Sequence, residues 1–543
     1  MNPVESPPIR APRSRSAALT SVLLVFVLWG SWFIYRTSFE IDGERVFALF
    51  DDAMISMAYA RNLVEGGGLN WAREGEPVEG FTTPLWTFLM VPVNALPAEL
   101  PVRSLFVQLA SLALLAAHLV VVKRLTERFF SSGEIRSWLP AVVLTASFYS
   151  LNYWGLMGLE TGLQALLSTG AVLLASEIVE EGRDRVVALS LVLALAYLTR
   201  MDMALLAAGV LGFVLVHRGF ARAKRSRRLL SAGILLVAVL GYQLFRVLYF
   251  GAPLPNPYYL KLTGIPLEVR LLRGLATYAD FFREHCVLLL VVVLGAAPLW
   301  QRRRRVRLPL ILFGLYSVYS ISVGGDGWED VAVLRANRFL AFLVPLLFVV
   351  FNGLLNDLRA ALRRVLPRPL PGAGQYLAIA ATTAIVLTAN GLGLSESSAG
   401  HWRHFVVAER PTLVPSHEIV LRDVRRLERV LGHDARVATF WAGMPAYFSD
   451  YRLVDMYGYS DAHVARLPAA RPIGVNAFQT YRPGHAKWDY DYVLREKPPD
   501  AFLQVWHIDP ERLPAFMRRH GYRKTHGFWL RHDAPPPAQR EAD

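Results

Sequence analysis

Carboxylates, guanidinium groups, one lysine and several tyrosines recur in the segments that separate the long apolar runs of this chain. The first segment opens Phe50-Asp51-Asp52-Ala53 and continues to Tyr59-Ala60-Arg61. Glu79-Gly80-Phe81-Thr82-Thr83-Pro84, Gly158-Leu159-Glu160-Thr161 and Thr199-Arg200-Met201-Asp202 follow. Leu254-Pro255-Asn256-Pro257-Tyr258-Tyr259-Leu260-Lys261 and Gly324-Gly325-Asp326-Gly327, with Arg335 and Arg338 beyond it, complete the series. A carboxylate can take the proton of an acceptor hydroxyl. Arginine and lysine can hold a phosphate that departs with negative charge. Aromatic rings and a helix lying along the interface can guide a lipid chain. Asp51 and Asp52 directly follow an apolar run, where charge is costly unless it is paired or solvated. Adjacent carboxylates also suit a divalent cation, which the spacing does not require. Each feature has a structural alternative as well. Asp51-Asp52 suits a solvated helix end, Glu160 a helix N-terminus, Arg200 with Asp202 a local ion pair, and Tyr258-Tyr259 an interfacial belt.

The elements that must position these residues are membrane helices. The chain has 543 residues, 53% of them hydrophobic, with mean hydropathy +0.31 and net charge +14. Eleven runs read as spans, near 17–35, 103–122, 138–153, 163–179, 186–199, 203–217, 229–249, 286–300, 308–322, 338–355 and 376–393. A twelfth, 84–96, is short and bracketed by prolines, and reads as a helix dipping into the interface. Basic clusters near the N-terminus and around 123–128, 183–185, 222–228, 302–307 and 359–368 then all fall on one side, the cytoplasmic one by the positive-inside rule. That placement, in short clusters between apolar runs, argues against a nucleic-acid partner. The lone Cys286 excludes an intrachain disulfide and a cysteine metal site. The expected architecture is a polytopic α-helical membrane protein with a C-terminal soluble α/β domain. Residues 1–16 would be a disordered cytoplasmic N-terminus and 17–393 the transmembrane domain with a periplasmic loop at 36–102. Residues 394–533 would form a periplasmic domain, and 534–543 a disordered tail. Within that domain, strands are expected at 436–440, 452–456, 490–494 and 501–505.

In order along 47–505, these stretches resemble the GT-C superfamily of membrane glycosyltransferases, which use polyprenyl-phosphate sugars and carry an essential aspartate in the first outer loop. The nearer likeness is to the bacterial family of the mycobacterial terminal β-arabinofuranosyltransferase, some relatives of which carry a flagellar motor control name. Asp51-Asp52-Ala53-Met54-Ile55-Ser56, Tyr59-Ala60-Arg61-Asn62-Leu63 and Val78-Glu79-Gly80-Phe81-Thr82-Thr83-Pro84-Leu85-Trp86 carry it. So do the later motifs quoted above, Arg338-Phe339, Asp455-Met456-Tyr457-Gly458 and Gly484-His485-Ala486-Lys487-Trp488-Asp489. Arg200-Met201-Asp202 stands where Arg-Pro-Asp is expected, and an insert, Trp328-Glu329-Asp330, follows Gly324-Gly325-Asp326. The resemblance implies a multi-pass protein of the bacterial inner membrane. It would move a sugar, arabinofuranose in the nearer family, from a polyprenyl-phosphate donor to an envelope glycan on the periplasmic face. Asp51 would be the general base and Asp52 would orient the acceptor or Asp51. Arg200 and Lys261, with Arg61 and Tyr258, would hold the phosphate. Glu160, Asp202 and Asp326 would meet sugar or acceptor or pair with those cations, Tyr259 and Arg338 would line the site, and His485 and Lys487 would bind acceptor glycan. Alternatives from other classes are a lipid-linked-sugar transporter or flippase and a non-catalytic envelope or motor assembly protein.

Overall fold

The computed structural model describes residues 13–535, apart from 74, 131–136, 286–287, 290–291, 294, 296–299, 302, 330–336, 366–402, 412 and 472–479. Six helices among the described residues are long and apolar enough to cross a membrane. They are Ala17–Thr37, Leu100–Phe129, Thr161–Glu181, Arg225–Phe250, Arg304–Val323 and Val344–Ala361. Val186–Thr199 and Met201–Val216 are apolar but shorter. The chain is thus a multi-pass membrane protein. The run expected at 138–153 is two helices, Leu139–Ala146 and Tyr149–Leu156. Asn152 explains the break, its amide donating to the Ala146 carbonyl that a continuous helix would have engaged. Most of 286–300 and all of 376–393 lie outside the described residues. Arg128, Arg183 and Arg185 pair with Glu177 or Glu181, and Arg305 pairs with Glu180. Three of the expected same-side basic clusters therefore meet at one end of the bundle.

At the other end, the first helix runs into a hairpin, β1 (Phe39–Ile41) and β2 (Glu44–Val46), turned by Asp42-Gly43 with both φ angles positive. Helix Asp51–Val64 follows, and Pro84–Asn94 packs against it. Eleven residues span about 16 Å, half of a ~30 Å hydrocarbon core, so Pro84–Asn94 does not cross. Thr87 Oγ1 donates to Ser56 Oγ, and the Trp86 indole donates to Gly158 O, fixing this helix to its neighbours.

Residues beyond 403 build a five-stranded sheet in the order β4 (Arg452–Asp455), β3 (Arg436–Thr439), β5 (Ala501–Phe502), β7 (Phe528–Arg531) and β6 (Tyr522–Thr525). The first three are parallel and the rest antiparallel. Helix Val414–Glu428 buries Val414, His417, Val420, Leu421, Val424 and Leu427, an i, i+3, i+4, i+7 stripe. The strand expected at 490–494 is instead helix Tyr490–Glu496, because the Asp489 carboxylate caps it by accepting from Tyr492 N. β6 and β7 were not foreseen; His526-Gly527, both at positive φ, joins them in a two-residue turn.

Candidate functional site

A cavity opens where the loops between the membrane helices meet the C-terminal sheet. Asp52, Glu160, Arg200, Asp202, Tyr258, Lys261, Asp326 and Arg338 line it, together with Phe81–Thr83, Tyr319, Tyr459 and Pro483. Each charged group reaches it from the end of an element. Asp52 is in the first turn of Asp51–Val64, where a carboxylate suits the helix N-terminus. Glu160 precedes Thr161–Glu181, Arg200 follows Val186–Thr199 in extended backbone, and Lys261 is in the last turn of Asn256–Leu262. Gly324 and Gly325, at φ +87° and +71°, reverse the chain after Arg307–Val323 and deliver Asp326.

The charges are arranged unequally. Arg200 lies between Glu160 (2.9 Å) and Asp202 (2.8 Å). Tyr319 donates its hydroxyl to the same Asp202 oxygen at 3.3 Å. Arg338 bridges Asp52 Oδ2 (3.2 Å) and Asp326 Oδ1 (3.1 Å). The Lys261 ammonium has no hydrogen bond or ion pair with any described residue and lies 5.8 Å from the centre of the Tyr459 ring. Burial lowers its pKa, the Arg338 and Arg200 cations lower it further, and Asp52 and Asp326 oppose them. Each arginine is thus held by two carboxylates, while the one lysine is left open to the cavity.

Asp51 departs from expectation. One residue along a helix is about 100° of rotation, so Asp51 and Asp52 face different ways. Asp51 is turned to the C-terminal segment, where both its oxygens accept from Gly443 N at 3.1 Å and one accepts from Met444 N at 2.7 Å. It is 6% exposed and outside the cavity lining. Burial pushes its carboxyl up to about 7, against the pull of the Met444 and Gly443 N–H groups. The expected base is therefore a junction, and its neighbour faces the cavity.

Four further expected site residues also lie outside the cavity lining. Arg61 pairs with Glu65 and Asp450 and donates to the Tyr447 and Ser449 carbonyls, away from the cavity. Tyr259 lies outside the lining, its carbonyl taken by Lys487 and its ring covered by the Arg466 guanidinium at 4.4 Å. Lys487 is fully buried and donates to the Ala465 and Tyr259 carbonyls, and burial lowers it to about 8. It straps the loop helix to the C-terminal segment instead of meeting a ligand. His485 stands behind the cavity wall, edge-on to Trp328, Tyr457 and Tyr459, with Nδ1 3.2 Å from Pro483 O. Burial holds it at about 4, hence neutral. Arg335 and Asp330 lie outside the described residues.

Tyr319, Trp328, Tyr459 and Pro483 were missed as site residues. Tyr459 follows Asp455-Met456-Tyr457-Gly458 closely enough to have been included; Tyr319, inside an apolar run, carried no sequence signal. A divalent cation fits the donors poorly. Among the described residues no three His, Cys, Asp or Glu side chains gather, and the Arg338 guanidinium occupies the place between Asp52 and Asp326.

Residues 415–540 match a family described as a domain of unknown function (DUF8728). No curated protein sequence matches the chain. ArnT from Cupriavidus metallidurans bound to undecaprenyl phosphate superposes with a TM-score of 0.54 at 14% identity, covering 96% of this chain and 98% of that one. ArnT in the apo state gives 0.51 at 13% identity, with 90% and 92% covered. The archaeal oligosaccharyltransferase AglB from Archaeoglobus fulgidus, in complex with an inhibitory peptide and a dolichol-phosphate, gives 0.48 at 11% identity, with 82% and 65% covered. The polytopic chain thus shares its overall fold with ArnT.

Proposed function

We propose that this protein is a membrane glycosyltransferase that moves a sugar from a polyprenyl-phosphate donor to a cell-envelope glycan. The observation that carries the reading is the pairing, in one cavity, of an uncommitted ammonium, Lys261, with a carboxylate, Asp52, whose Oδ1 meets no described residue. The first suits the phosphate of the donor and the second suits the hydroxyl of the acceptor. The acceptor oxygen attacks the anomeric carbon, and its proton passes to Asp52. The bond from that carbon to the phosphate oxygen breaks, its electron pair staying on the polyprenyl phosphate. Lys261 and Arg200 meet the charge that develops there. Attack opposite the leaving group inverts the anomeric centre. Glu160 and Asp202 hold Arg200 in place, and Tyr258 borders the donor.

Arabinofuranose is the proposed sugar, supported by the first-loop motif around Asp51-Asp52 and the ordered motifs after it. The reading also has the bacterial inner membrane as location, eleven spans through 17–393, and a periplasmic domain at 394–533 above the cavity. That topology is supported by the meeting of Arg128, Arg183, Arg185 and Arg305 at one end of the bundle.

The test is transfer by purified protein from short-chain polyprenyl-phosphate arabinose to a synthetic arabinan. Asp52→Asn is expected to lower kcat by about 100-fold or more, the typical share of a positioned base. Asp51→Asn is expected to retain most of the activity of whatever protein folds. The opposite pattern would return the base to Asp51. Absence of transfer across a panel of lipid-phosphate sugars would favour a transporter or an assembly role.

A further inference from the structure

We propose that Trp328 is a positioning residue for the transfer: with Arg338 it holds Oδ2 of Asp52, so that Oδ1 alone is presented to the acceptor hydroxyl. The inference rests on Asp52 being the base. Trp328 Nε1 lies 3.4 Å from Asp52 Oδ2, and Arg338 Nη1 lies 3.2 Å from the same oxygen. No described residue hydrogen-bonds Oδ1. The second torsion of an aspartate is broad and close to two-fold, so one donor leaves the carboxylate free to swing. Two donors on one oxygen from different directions fix its plane. They also leave the other oxygen as the proton acceptor, which is the orientation a near-attack geometry needs.

The indole is itself held rigidly. It packs edge-to-face on Phe50 (5.0 Å between centroids, 85°) and on His485 (5.6 Å, 83°). Phe50 immediately precedes the helix that carries Asp52, and His485 comes from the C-terminal segment. The turn beneath is equally constrained. A Cβ at Gly327 would lie 2.8 Å from Pro483 O, and one at Gly325 would lie 2.4 Å from both Glu329 Oε2 and Thr277 Oγ1. Burial, then the Asp326 charge, push Glu329 up to about 8 against the pull of the Arg273 cation, so Glu329 itself is mostly protonated near pH 7. Trp328 is outside the cavity lining, so it acts through Asp52 and not on substrate. The charged and titratable groups facing Asp52 are Arg338, Lys261, His417, His485, Tyr459 and Asp51. None of them replaces the indole donor on Oδ2.

Trp328→Phe keeps the ring between Phe50 and His485 and removes only the N–H. It is expected to lower kcat about tenfold, the effect of losing one hydrogen bond to a charged group, with donor KM and thermal midpoint unchanged. Trp328→Ala should lower kcat and midpoint together. A purely structural role would leave Trp328→Phe with the kcat of the wild type, and that result overturns the proposal. A readout independent of turnover is the 19F spectrum of protein labelled with 5-fluorotryptophan. Among thirteen tryptophans, the resonance lost in Trp328→Phe should shift in Asp52→Asn; an unmoved resonance sinks the contact. Loss of transfer in Asp52→Asn with full kcat in Trp328→Phe overturns this inference alone. Retained transfer in Asp52→Asn, or a wild type silent on every donor, overturns the reading on which it rests and this inference with it.

Discussion

Asp51 and Asp52 are adjacent in sequence, yet they answer to different parts of the molecule. Asp52 belongs to the cavity, while Asp51 belongs to Gly443 and Met444, about 390 positions later. The consequence for Asp51 is a pH dependence of stability. Its ordinary value is 3.8 and its folded value is about 7, so the native state keeps a proton that the unfolded chain releases. A raised folded pKa favours folding fully at pH below the unfolded value, and that contribution is lost as pH rises through the folded value. The thermal midpoint of the wild type is therefore expected to fall between pH 4 and pH 7 by more than that of Asp51→Asn. The difference has an upper bound of about 4 kcal/mol, three units at ~1.4 kcal/mol each. Equal slopes for the two proteins would remove Asp51 as the cause. The residue types of the site were legible in the sequence, because carboxylates and cations beside apolar runs need a reason to be there. Which aspartate faces the cavity was not, because that depends on a contact with distant chain. The contacts that keep Arg61 and Lys487 outside the cavity lining were illegible for the same reason: among their partners, Tyr447 O and Tyr259 O are 386 and 228 positions away.

Among the helices, hydropathy runs located Thr161–Glu181 to within two residues at each end and fell seven short at the C-terminal end of Leu100–Phe129. It failed at Ser147-Phe148, where no proline or glycine marks the break and an Asn152 side chain makes it. The positions of helices relative to one another were illegible, because close packing is decided by single small residues. Gly274, in Leu267–Glu284, is such a point: a Cβ there would lie 2.1 Å from Ile321 O of the neighbouring Arg307–Val323. Arg273 beside it donates to the carbonyls of Gly324 and Asp326, the turn that delivers the cavity carboxylate. Gly274→Ala is expected to destabilise the protein by about 1–3 kcal/mol, as overpacking does, and to lower kcat through displacement of Asp326. Thermal unfolding in detergent and a transfer assay measure the two effects. An unchanged midpoint would show that the helices part without cost.

For the molecule as a whole, the proposed orientation has a direct test. Glu511 is exposed on the C-terminal segment, and Cys286 is the chain's single cysteine. In a Cys286→Ser background, Glu511→Cys is expected to react with a membrane-impermeant maleimide added to spheroplasts. Labelling only after lysis would invert the topology and place the cavity on the other face. The meeting of three arginine clusters at one end of the bundle was legible from their spacing. The junction was not, because nothing local in Trp441-Ala442-Gly443-Met444 shows that Trp71 donates to Ala442 O or that a Cβ on Gly443 would lie 1.8 Å from Asp51 O. That junction also sets an order of events during synthesis. Tyr459 and Pro483 form part of the cavity wall, and Asp51 finds its N–H partners only at Gly443 and Met444. The partners of Asp51 and this part of the wall are thus supplied by chain made after the membrane helices, between Gly443 and Pro483. A polypeptide stopped before Gly443 lacks the N–H partners of Asp51 and the Tyr459 and Pro483 part of the wall. The cavity is in this way left open on one side until synthesis has passed Pro483.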